Sequence, residues 1–99
     1  MILEHLDDIG EVLGRCLDEN GIVLSESEIS PAFFDLRTRI AGELFQKITN
    51  YHTRLAIVLQ DPGKYGNRFS ELAYEHRNHP YIRFFAEKKQ AKLWLTEGG

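Results

Sequence analysis

Apolar positions recur along the chain with two periods, and the alternation between them predicts the architecture. Ile2, Leu6, Ile9, Leu13 and Leu17 step by three and four residues with Cys16 beside them, the stripe of an amphipathic helix. Asn20-Gly21 ends that helix as a C-cap, and Ile22-Val23-Leu24 is a short β-branched run read as a first strand. Ser30-Pro31 suits a cap followed by proline at the first helical position, which predicts one helical turn through Phe33 and Phe34. Asp35 is then expected to cap a longer helix, in which Leu36, Ile40, Leu44 and Ile48 step by four. Ala41, Phe45 and Tyr51 widen its apolar face, against a polar face carrying Arg39, Glu43 and Lys47.

Residues 55–59 are continuously apolar, as in a strand buried on both faces, so this is the expected central strand. The turn-rich stretch from Asp61 to Gly66 follows. Asn67 is expected to cap a third helix with Phe69, Leu72, Ala73 and His76 on one side, closed by Asn78-His79-Pro80. Residues 81–85 read as a third strand, and Ala91, Trp94 and Leu95 face inward from a last helix. Helices between successive strands predict an α/β fold: a small parallel sheet of about three strands with right-handed crossover helices. With 99 residues and neither a linker nor a repeat, the chain is expected to form one domain over residues 1–99.

Charge and cysteine usage narrow the classes. The first segment sets Glu4, Asp7, Asp8, Glu11, Asp18 and Glu19 against Arg15 alone. That outweighs the whole-chain net charge of −3 and leaves the remainder net basic. It reads as a solvated helix face, and without a concentrated basic surface nucleic-acid binding is not expected. No apolar run is long enough to span a bilayer, Met1-Ile2-Leu3-Glu4-His5 is not a leader sequence, and Cys16 is the only cysteine, so the cytoplasm is the expected location.

The run from Ile29 to Lys47, continuing through Asn50-Tyr51 and Arg54 to Val58, resembles the bacterial domain-of-unknown-function 4180 family, most sharply from Phe33 to Tyr51. Two departures accompany the resemblance. Arg39 stands where that family usually has glycine, and the strand pair that family members carry ahead of the first helix is not seen, so the chain reads as a shortened member. The element order and the ending Ala91-Lys92-Leu93-Trp94-Leu95 are more distantly similar to STAS-like domains such as anti-sigma-factor antagonists. Those domains work by binding partners, sometimes under control of phosphorylation near a helix start. On that resemblance Thr38 is a candidate regulated hydroxyl.

Candidate chemistry is sparse. His76 and His79 lie three apart beside Glu75, but zinc asks for at least three protein ligands, and surface histidines are the better reading; no metal or cofactor is expected. Cys16, on the apolar stripe, reads as a packed thiol rather than a nucleophile. The loop Gly63-Lys64-Tyr65-Gly66-Asn67 precedes a helix, where backbone amides can hold an anion, but it is not a Walker A sequence and is read as a turn. Arg37 in a first helical turn opposes the helix dipole, a local conflict of the kind that marks sites.

No residues fill a nucleophile, base and orienter list, so the first reading is a non-catalytic protein-binding or regulatory module. The alternative is a small anionic-ligand binding protein or enzyme. In either case parallel strands gather their strand-to-helix loops at one end of the sheet. The expected site is therefore Ser25 and Glu26, Asp35, Arg37 and Thr38, and Asp61, Lys64, Tyr65 and Asn67. A three-stranded sheet also leaves an edge or a face to cover, which predicts a homodimer.

Overall fold

The computed structural model describes residues 3–97. Three strands, β1 (Ile22–Ser25), β2 (Leu55–Val58) and β3 (Ile82–Phe85), form one parallel sheet in the order β1-β2-β3, so the continuously apolar run is the central strand. The register places Leu24 beside Ile57 and Ile57 beside Phe84. The helices are α1 (Ile9–Glu19), α2 (Pro31–Phe34), α3 (Ile40–Asn50), α4 (Asn67–Glu75) and α5 (Lys88–Thr96). Leu3, fully buried, forms an isolated parallel bridge with Ile29 ahead of the first helix.

Side chains alternate across the sheet, as the two-residue period of a strand requires. Ile22, Leu24, Leu55, Ile57 and Ile82 join the larger core, with Val12 and Cys16 of α1, Phe33 and Phe34 of α2, Ile40, Leu44 and Ile48 of α3 and Phe69 of α4. Phe33 anchors this layer edge-on to Phe34, Phe45 and Phe69, at ring separations of 5.3, 6.0 and 6.1 Å. On the other face Ala56, Ala91 and Trp94 make a second cluster, and Val23, Val58, Phe85 and Leu95 are only half-buried against it.

Several sequence expectations are displaced. The buried stripe of α1 is Ile9, Val12 and Cys16, with Leu13 half-buried, whereas Leu6 and Leu17 are exposed. Leu6 belongs to a separate 3-10 turn, Leu6–Asp8, whose tighter winding breaks the α-helical phase, and Leu17 lies one residue round from Cys16. Ile2 lies outside the described residues. Tyr51 is 58% exposed, since α3 ends at Asn50 and Tyr51 is its C-cap rather than part of its apolar face. Asp35 caps a 3-10 turn, Leu36–Thr38, and not the long helix, which begins only at Ile40. Arg39 between them has φ +69°, a left-handed conformation that interrupts any continuous helix and that glycine adopts most readily. Gly66, at φ +104°, takes the cap position expected of Asn67, which is the first residue of α4. Ser30 precedes α2 as expected but makes no side-chain cap, and its hydroxyl is buried without a partner among the described residues.

Candidate functional site

The strand-to-helix segments gather at the C-terminal end of the sheet, and two depressions open there. The larger, about 570 Å³, is lined by Pro31, Phe34, Asp35 and Arg37 on one side and by Tyr65, Asn67, Arg68 and Phe69 on the other. The second, about 420 Å³, is lined by Ser25, Glu26, Val58, Gln60 and Lys64. Tyr65 links them. Its ring stacks on Phe34 with centroids 3.8 Å apart and planes 8° from parallel, while its hydroxyl donates to Glu26 Oε2. Lys64 Nζ lies 3.4 Å from the same oxygen.

These contacts set the local protonation. The hydrogen bond from Tyr65, and behind it the Lys64 ammonium, hold the Glu26 carboxyl below its ordinary range. Partial burial, with the neighbouring Glu26 carboxylate, pushes the Tyr65 phenol up to about 12. Tyr65 is therefore a hydrogen-bond donor at neutral pH, not a base.

Asp35 resolves the conflict at Arg37. Its Oδ1 accepts from the Arg37 amide and from Nε, and Oδ2 accepts from Nη2, each at 3.0 Å, a forked pair on an exposed turn. The Arg37 guanidinium holds the Asp35 carboxyl low and is itself raised by it, yet the arginine side chain stays 88% exposed. Thr38 Oγ1 lies 2.7 Å from the Ala32 carbonyl oxygen and 2.8 Å from that of Asp35, so its hydroxyl hydrogen is committed to the backbone. Asp61 Oδ1 accepts from the Gly63 amide and fixes the Pro62–Tyr65 turn. Ser25 donates through both its amide and its hydroxyl to Glu28 Oε1.

Of the expected residues, Asp35, Arg37, Tyr65 and Asn67 share the larger cleft, and Ser25, Glu26 and Lys64 share the smaller. Thr38 and Asp61 line neither. Phe34 and Arg68 were missed as site residues. Arg68 carried the signal that singled out Arg37, a cation in a first helical turn, and no carboxylate lies within ion-pair distance of it among the described residues. No side chain caps the start of α4. Cys16 is fully buried, and desolvation pushes its thiol up to about 12. No group of three or more His, Cys, Asp or Glu residues among those described could hold a metal ion, and His79 Nδ1 accepts from the Tyr81 and Ile82 amides.

Compared with known proteins, the chain matches a family described as a domain of unknown function, DUF4180, over residues 1–95. The chain belongs to that family. No curated protein and no solved structure matches it. Arg39 has a left-handed backbone, a conformation that glycine adopts most readily.

Proposed function

We propose that the chain is a non-catalytic binding or regulatory module of STAS-like type, acting in the bacterial cytoplasm as a homodimer. Its larger cleft takes a segment of a protein partner that presents an apolar side chain beside an acidic or phosphorylated group. The observation that carries this reading is the composition of the cleft. Phe34, Tyr65 and Phe69 give it an aromatic wall, and Arg68 with the uncapped start of α4 gives it a cationic side beside the Asp35–Arg37 ion pair. The free, buried Cys16 supports a reducing compartment.

Selection from a displayed library of acidic and phosphorylated peptides, followed by amide chemical-shift mapping on the whole chain, tests it. Shifts confined to Phe34, Tyr65 and residues 66–69 are expected. Selected peptides that shift only α5 or the opposite end of the sheet would overturn the assignment. A second reading, a small anion held alone at the start of α4, draws on the same uncapped amides. It would show as binding of inorganic phosphate that Arg68→Gln abolishes.

A further inference from the structure

The opposite end of the sheet, where the strands begin, holds a cavity of about 500 Å³ whose lining includes Asn20, His52, Arg54, Tyr81, Arg83 and Trp94. Two guanidinium groups converge there on one indole. Arg54, just ahead of β2, has its Cζ 5.6 Å from the Trp94 ring centroid, and Arg83, on β3, has its Cζ 5.1 Å away. Both side chains belong to half-buried residues, and the indole is 8% exposed.

Backbone carbonyls hold both groups in position. Arg54 Nη1 and Nη2 donate to the carbonyl oxygens of Trp94 and Leu95 at 3.2 and 2.9 Å. Arg83 Nε donates to that of His79 at 2.7 Å, and its Nη2 to that of Asn78 at 3.4 Å. For Arg54, a cation at the last carbonyls of α5 is ordinary, whereas Arg83 is held by carbonyls of the Asn78-His79 segment beyond the end of α4. Neither charge is compensated by a carboxylate among the described residues. Among the described residues Arg15, Arg37, Arg39 and Lys64 each lie within 4.0 Å of a carboxylate, whereas Arg54 and Arg83 form no ion pair and no carboxylate lines this cavity. Each guanidinium has five N–H donors, so part of each fork remains free. Two like charges brought together in a half-buried site repel each other more strongly than they would in water. The rest of the lining offers the carboxamides of Asn20 and Asn78, the Tyr81 phenol and the His52 imidazole, all hydrogen-bonding groups.

We propose that this cavity binds a compact multivalent oxyanion, a phosphate or a di- or tricarboxylate, between Arg54 and Arg83. The anion supplies a countercharge that no carboxylate among the described residues provides, and the planar forks suit two-oxygen recognition of either group. The site lies apart from the cleft at the C-terminal end and shares no lining residue with it.

Trp94 is the only tryptophan, so its fluorescence reports on this cavity. Titration of the whole chain with inorganic phosphate or with citrate, at ionic strength held constant with sodium chloride, is expected to saturate below about 10 mM for at least one of them. Saturation by phosphate alone assigns a phosphate ligand, by citrate alone a polycarboxylate. Arg83→Gln should weaken binding at least about tenfold. Arg83→Lys should retain part of the affinity, and Arg68→Gln in the other cleft should change nothing. Because Arg83 also holds the Asn78-His79 segment, a second reading comes from the unmodified chain: amide shifts induced by the anion should centre on Asn20, His52 and Tyr81. No saturable change with either anion, equal binding after Arg83→Gln, loss on Arg68→Gln, or shifts centred elsewhere would each overturn the proposal.

Discussion

The two faces of the sheet are covered unequally. On one, residues from α1, α2, α3 and α4 close over Leu24, Leu55, Ile57 and Ile82, all fully buried. On the other, the nine-residue α5 alone lies across three strands, and Val23, Val58 and Phe85 remain half-buried beneath it. The sequence differs to match. The covered face carries large aliphatic and aromatic residues, while the thin face carries Ala56 at its centre and Arg83 at its edge. Stability therefore resides mainly in the first layer, whereas both unpaired half-buried arginines border the second.

The largest expected effects come from truncating the thick layer. Leu44→Ala and Ile57→Ala should each destabilise the fold by about 2 to 5 kcal/mol, since both side chains are fully buried and each change leaves a cavity. Val58→Ala, on the adjacent residue but facing α5, should cost about 1 kcal/mol, because fewer contacts are lost from a half-buried side chain. Denaturant midpoints measure the contrast. Equal losses at Ile57 and Val58 would show that the two faces contribute alike.

Next in size is self-association. On the outer side of α5, Leu93 is 51% exposed in a groove of about 460 Å³ flanked by Lys88, Lys89 and Lys92, while the outer surface of α1 carries Glu11 and Asp18. A second copy offers both an apolar surface and opposite charge to this groove. Sedimentation equilibrium is expected to show a dimer at high micromolar concentration, weakened about tenfold, or about 1.4 kcal/mol, by Leu93→Glu with the unfolding m-value unchanged. A monomer at every concentration would show that the groove on the outer side of α5 stays open to solvent.

The element order, the central position of β2 and most of the core were legible because strand and helix periods differ and residues 55–59 are long enough to show burial on both faces. The misplaced starts of α1 and α3 share one cause: 3-10 turns at Leu6–Asp8 and Leu36–Thr38 carry apolar residues that mimic an α-helical step without sharing its phase. The C-terminal cleft was partly legible, since topology alone brings Asp35, Tyr65 and Asn67 to one end. Arg54 and Arg83 were not. They lie 29 residues apart, each looks like an ordinary strand-flanking or strand arginine, and only the sheet register and the arrival of Trp94 from α5 bring them together.

Protonation offers a smaller test at the junction of α4 and β3. Desolvation, with the charges of His76 and Arg83, lowers the His79 pKa below its ordinary 6.5, and the neutral ring accepts two backbone amides at Nδ1. The unfolded chain therefore binds this proton more readily than the folded one. Stability should fall as pH drops through about 6.5 and level off once both states are protonated. Thermal midpoints from about pH 7.5 to about pH 5 should show that slope, and His79→Asn should flatten it over this range. A slope identical in the variant would assign the proton to another group.

The smallest expected effect is a gain, and it lies in the thick layer. Arg39 holds φ +69° between the Leu36–Thr38 turn and α3, where a side chain with a Cβ costs roughly 1 to 2 kcal/mol relative to a right-handed backbone. Two terms oppose the relief that glycine would bring. Glycine gives the unfolded chain more freedom, worth about 0.4 to 1 kcal/mol, and removing the side chain breaks the exposed pair between Arg39 Nη2 and Glu43 Oε1 at 2.8 Å, worth about 0.3 to 0.5 kcal/mol. At the middle of these ranges the strain, about 1.5 kcal/mol, exceeds the other two terms together, about 1.1 kcal/mol, so Arg39→Gly should come out more stable than the parent by a few tenths of a kcal/mol. Arg39→Ala separates the contributions, because it loses the pair but keeps the strained Cβ, and should fall below the parent by about 0.3 to 0.5 kcal/mol. The order glycine, parent, alanine in denaturant midpoint is the decisive reading. Alanine above glycine would mean that residue 39 is not left-handed in solution and that α3 begins earlier, closer to the continuous helix that the periodicity of Leu36, Ile40 and Leu44 implies.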